Sequence, residues 1–165
     1  MCLITEHARA LKRLAELEAS IGKEFWELFQ PASVQQISFQ DLYTTLRTLF
    51  PNASINLGEN YRFLCSYDDI AVFLAQDQTN KMDYIGDANG ISSYDCNVFA
   101  NRLLGQFSVP GWADLTFGKV WLSQPAHALN CMLAQDDKFF YIEPQTDELL
   151  DYASYEAGSV RFIEM

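Results

Sequence analysis

Histidine is scarce in this chain of 165 residues: there are two, His7 and His127. Two imidazoles cannot build a His-rich zinc site, and they leave few choices for a side-chain base near neutral pH. The four cysteines, at 2, 65, 96 and 131, include no CxxC pair and no Cys–His pair at metal-ligand spacing. A chain of this length does not need disulfide staples, so the thiols are expected to stay reduced. Basic residues are few, 11 against 22 acidic ones, for a formal charge of −11. That balance repels phosphate backbones and anionic lipid surfaces, so neither nucleic acid nor membrane is an expected partner. No apolar run approaches the roughly 20 residues that span a bilayer. The stretch from Met1 to His7 has no basic region, apolar segment or cleavage site of a leader, which makes the cytoplasm the expected compartment.

What is present describes a folded protein. Hydrophobic residues make up 49% and aromatics 14%, enough for one domain with a real core. Leu11, Leu14, Leu17, Ile21, Phe25 and Leu28 recur at spacings of three and four, which predicts an amphipathic helix over 5–29, with Thr5 as cap and Pro31 as stop. His7 falls in its first turn and reads as a surface residue. Ser38 and Asp41 have the form of a capping box before a second helix carrying Leu42, Leu46 and Leu49, which Pro51 ends. Ser66 and Asp69 repeat the box before a third. Residues 76–93 are polar and rich in Asn, Asp and Gly, and read as a long loop. A fourth helix is expected from Asp95 to Gly105.

After Pro110 and Gly111 the texture changes. Segments 119–122, 126–133, 139–143 and 160–163 are enriched in β-branched and aromatic residues and read as strands. Helices first and then an antiparallel sheet make an α+β arrangement, one domain over 1–165 with a helical part at 1–50.

Cys96 then stands at a predicted helix start, where free backbone N–H groups favour a thiolate. His127 and Glu143 lie on consecutive strands joined by a turn at Gln135-Asp136-Asp137. A three-residue loop at 134–136 puts Glu143 directly opposite His127. Moving the loop by one residue puts Gln145 opposite and leaves Glu143 diagonal, still within reach. Either register lets a carboxylate fix the imidazole tautomer, and a thiol, a base and an orienting acid are what nucleophilic attack on a carbonyl needs. Each residue alone has an ordinary structural explanation, as core packing is expected to explain Cys65 and Cys131.

The segments Tyr94-Asp95-Cys96-Asn97-Val98-Phe99-Ala100, His127-Ala128-Leu129-Asn130 and Tyr141-Ile142-Glu143-Pro144-Gln145-Thr146 together resemble a known family. It is the papain-like cysteine peptidase domain at the C-terminus of a mushroom agglutinin of the Marasmius type, with its phage and bacterial relatives. More distantly, the pattern is similar to transglutaminase-like cysteine peptidases. The resemblance covers about 60–165. It implies a papain-like fold with Cys96 as nucleophile, His127 as base and Glu143 as orienting carboxylate. It implies an upstream amide for the oxyanion, for which Asn89 is the nearest match where the family prefers glutamine. No cofactor is required, but the agglutinin's calcium dependence implies Ca²⁺, with Asp95 the nearby acid and Asn97 where relatives carry a second one. The β-trefoil lectin domain of the agglutinin has no counterpart in this chain, so the resemblance does not imply sugar binding.

Two functional expectations follow. The first is a cysteine hydrolase acting on a peptide or isopeptide bond of a peptide or protein substrate, with water or, as in transglutaminases, an amine resolving the acyl-enzyme. The second is a catalytically silent papain-like fold that serves as a binding or host-interaction protein.

Overall fold

The computed structural model describes residues 23, 25–32, 34–86 and 94–165. The chain divides into two compact units, Met1–Gln30 and Pro31–Met165. In the first, the described structure is one helical turn, Phe25–Leu28. Of the helix expected over 5–29 beyond that turn, Lys23 and Phe29 are described and not helical, and the remaining positions, with Thr5 and His7, lie outside the described residues, as does Cys2.

The second unit opens with β1 (Val34–Ser38) and α1 (Phe39–Leu49). Ser38 caps α1 by accepting the Asp41 N–H at 3.1 Å, and the helix ends where Phe50 N–H returns to the Leu46 carbonyl, just before Pro51. Then come β2 (Ser54–Asn56), β3 (Tyr61–Cys65) and α2 (Tyr67–Gln76). At the start of α2 the capping box is complete in both directions: Asp69 N–H donates to Ser66 Oγ, and Ser66 N–H donates to Asp69 Oδ2. The polar stretch after α2 holds a 3₁₀ turn, Thr79–Lys81, and a bridge between Ile85 and Tyr94.

Next comes α3 (Cys96–Gln106), followed by β4 (Phe117–Ser123), β5 (Ala126–Leu133), β6 (Phe139–Glu143), β7 (Glu148–Asp151) and β8 (Val160–Glu164). These strands, with β2, form one sheet in the order β2-β8-β4-β5-β6-β7. All its neighbours are antiparallel except β2, which runs parallel to β8. β1 and β3 pair separately as a two-stranded antiparallel sheet. The expected order of helices followed by an antiparallel sheet is thus corrected to a mixed α/β fold. The reason is local: β2 has three residues, too few to show alternation, and its partner Phe162 is far away in sequence.

The sheet is covered on both faces. On one side Leu42, Leu46 and Phe50 pack on Val120, Leu129, Cys131, Leu133, Tyr141 and Ile163, all essentially without solvent exposure. Full burial of each leucine stabilises by about 1.5–3 kcal/mol. Phe50 meets Phe139 edge-to-face at 4.8 Å. On the other side Asn130 Nδ2 donates to the Ala100 carbonyl of α3 at 3.0 Å, and Lys119 Nζ donates to Asn101 Oδ1 at 2.7 Å. In the middle of β5, Leu129, Cys131 and Leu133 therefore face α1, and Asn130 faces α3. Gly118 lets β4 lie close to the chain end, since a methyl group there would collide with the Glu164 carbonyl.

Candidate functional site

The start of α3 is set by Asp95. Its backbone is extended, and its Oδ1 accepts Asn97 N–H at 3.1 Å and Val98 N–H at 3.4 Å. Cys96 becomes the first helical residue and is partly open to solvent. The acid expected to reach a cation is here engaged in capping. Asn89 lies outside the described residues.

His127 enters from β5, where it pairs with Leu122 of β4. The β5–β6 connection turns at Gln135-Asp136-Asp137: Ala134 N–H donates to the Lys138 carbonyl at 2.8 Å, and Asp137 sits in the left-handed region at φ 58°. Asn130 pairs with Ile142 and Leu133 with Phe139. The pairing stops at Asn130 and Ile142 and β6 ends at Glu143, so Glu143 stands diagonal to His127 rather than directly opposite it. The diagonal is short enough for contact. His127 Nε2 lies 2.7 Å from Glu143 Oε2, with the two side chains 20% and 16% exposed. The other carboxylate oxygen, Oε1, accepts from Gln145 twice, from the backbone N–H at 3.3 Å and from Nε2 at 3.2 Å.

The hydrogen bond to Glu143 is the main reason that the His127 pKa rises from 6.5 to about 8. Burial opposes it, and a hydrogen bond with Cys96 adds to the rise, as do the charges of both partners. With Nε2 committed to the carboxylate, Nδ1 is the ring nitrogen left for the thiol. Cys96, His127 and Glu143 therefore form one connected polar group where α3, β5 and β6 meet. The other two described thiols differ: burial, aided by Asp69, pushes Cys65 up to about 12, and burial alone pushes Cys131 up.

Tyr155 is part of this neighbourhood and was not legible as such in the sequence. It is half-buried, stacks edge-on to Tyr141 at 5.1 Å, and has its hydroxyl pKa raised by burial and then by the charge of Glu143. Among the described residues no three His, Cys, Asp or Glu side chains gather as a metal-binding group.

No family model and no curated protein matches the chain. Its fold is nevertheless that of part of a fungal lectin. PSL1a in complex with E64 superposes with a TM-score of 0.64 at 16% identity, over 79% of this chain and 50% of that one. Polyporus squamosus lectin bound to the human-type influenza-binding epitope Neu5Acα2-6Galβ1-4GlcNAc superposes at 0.58 and 15% identity, over 79% and 49%. The chain thus spans about half the length of the structures it matches, and at such identity the likeness is one of fold.

These neighbours correct the leading functional expectation. Neither is described as a peptidase; the second is named as a lectin and holds a glycan. The expected cysteine hydrolase, its thiol-protease and catalytic-triad description, and its peptide or protein substrate are therefore not carried by the proteins that share this fold. Among the described residues no helix is long and apolar enough to cross a membrane.

Proposed function

We propose that this chain is a binding protein on a papain-like or transglutaminase-like scaffold, and that Cys96, His127 and Glu143 form its ligand site. The observation that carries this reading is the 2.7 Å contact between His127 and Glu143, locked from behind by Gln145. It holds an imidazole and a carboxylate in one fixed orientation at a partly open position. Fixed donors and acceptors lower the ordering cost of binding. A hydroxyl both donates and accepts, so a hydroxyl-rich ligand such as a glycan uses His127, Glu143 and Gln145 together. The half-buried ring of Tyr155 offers an apolar face beside them. A formal charge of −11 disfavours polyanions.

Calorimetric titration with Neu5Acα2-6Galβ1-4GlcNAc, the glycan held by the second neighbour, tests the reading. Saturable binding is expected. Removing a charged hydrogen-bond partner costs about 1.5–3 kcal/mol, so His127→Ala should weaken binding roughly tenfold or more. Silence with the glycan sinks the proposal, as does turnover of a peptide library by the wild-type chain.

A further inference from the structure

At its C-terminal end α3 borders a cavity of about 320 Å³, at the lower end of the range for small-molecule sites. Cys96 starts the same helix and Phe107 follows its last residue, which sets the cavity about 16 Å along the axis from the thiol. Leu104, Phe107, Trp112 and Phe117 give it an apolar wall. The three rings are almost fully buried, and Phe107 stacks on Phe117 with centroids 3.6 Å apart and planes within 6°. A wall held in this way is in place before any ligand arrives.

Two charged side chains line the same cavity, Arg62 of β3 and Glu164 of β8, and neither has an ion-pair partner among the described residues. Arg62 Nη1 donates to the carbonyls of Ala113 at 3.0 Å and Leu115 at 3.4 Å, which fixes the guanidinium. Its Nε is buried with no acceptor among the described residues. The edge formed by Nε and Nη2 is the one that takes a carboxylate through two parallel hydrogen bonds. A buried donor left unpaired is destabilising, and a ligand oxygen on that edge would satisfy it. Glu164, half-buried, lacks a cation for another reason. Its cross-strand partner in β4 is Lys119, whose Nζ donates instead to Asn101 Oδ1 at 2.7 Å. A bare anion would meet Glu164 and a formal charge of −11, and a bare cation would meet Arg62. A molecule that carries both signs suits both side chains.

We propose that this cavity binds a free α-amino acid with a large apolar side chain. Its carboxylate sits on Arg62, its ammonium on Glu164 and its side chain against Phe107 and Phe117. The site stands independently of the ligand reading for Cys96, His127 and Glu143.

The test titrates four probes calorimetrically into the full chain: L-phenylalanine, 3-phenylpropionate without the ammonium, phenethylamine without the carboxylate, and glycine without the apolar body. L-Phenylalanine should bind saturably at millimolar concentration or below, and each of the others roughly tenfold more weakly or worse. Arg62→Met keeps an apolar stem but removes the guanidinium, and should weaken L-phenylalanine binding roughly tenfold or more. That variant also gives up the bonds to Ala113 and Leu115, so Glu164→Gln provides a second reading. Glu164→Gln keeps the shape of a half-buried side chain that has no ion-pair partner to lose. It should melt like the wild type and bind L-phenylalanine about threefold more weakly or worse. Absence of saturable heat with L-phenylalanine, equally tight binding of any other probe, or undiminished affinity in either folded variant overturns the assignment.

Discussion

At its C-terminal end β5 buries Cys131, Met132 and Leu133 completely, whereas at its N-terminal end Ala126 is exposed and His127 partly open. The two ends belong to one strand with continuous pairing to β4, so backbone geometry does not distinguish them. What differs is the cover. Over the buried end α1 lays Leu42, Leu46 and Phe50, and a thiol placed there is pushed away from ionisation by desolvation. At the open end the neighbours are a carboxylate, an amide and a partly exposed thiol, so an imidazole gains partners faster than it loses water. The same sheet thus serves as a core at one edge and as a polar site at the other, and burial sets the boundary.

The strongest way to break this comparison is to cut into the side that holds the frame. Leu129 is fully buried in β5, two residues from His127 and next to Asn130, which pairs with Ile142 of β6. Leu129→Ala should lose about 2–5 kcal/mol of stability in a denaturant titration. A loss under about 1 kcal/mol would mean that the core does not position the site.

The thiols sharpen the contrast next. In the native protein Cys96 should be alkylated by iodoacetamide roughly tenfold faster, or more, than Cys65 or Cys131, read peptide by peptide in a mass spectrometer. Comparable labelling of Cys131 without denaturant would show that the buried end opens as readily as the other.

The smallest effect is electrostatic. Glu143→Gln should bring the His127 pKa down from about 8 toward its ordinary 6.5, followed by the ring proton shifts in an NMR titration. His127 has a folded-state pKa above its unfolded one. The stability it contributes is therefore full below about pH 6.5 and is lost as pH rises through about 8. That contribution is at most about 2 kcal/mol, and less after screening of a partly exposed pair. A wild-type stability profile flat between those pH values would contradict the ion pair.

How much of this could be read beforehand depended on the range of the signal. Ser38 with Asp41 and Ser66 with Asp69 are contacts three residues apart, and both mark helix starts in the structure. Asp95 likewise starts α3 at Cys96. The strands at 119–122, 126–133, 139–143 and 160–163 reappear within β4, β5, β6 and β8, because their β-branched and aromatic residues match a half-buried pleat. The hairpin arithmetic left two registers open, and the observed pairs, Leu133 with Phe139 and Asn130 with Ile142, exclude the one with Glu143 directly opposite His127.

β1, β2, β3 and β7 were not legible, being three to five residues long and held by partners that no local pattern names. The functional reading failed differently: a connected thiol, imidazole and carboxylate describes a geometry, and geometry alone does not say whether a ligand is transformed or held.

The parallel pairing of β2 with β8 has a consequence for how the molecule is made. Ser54 waits for Phe162 and Ile55 for Ile163, and β8 also separates β2 from β4. On a ribosome β2 stays unpaired until the whole segment between it and β8 has been synthesised, so the sheet cannot close progressively strand by strand. Contacts so distant in sequence slow folding. The nascent chain therefore spends that interval as an open-edged intermediate, the state in which strand edges are most exposed to wrong partners.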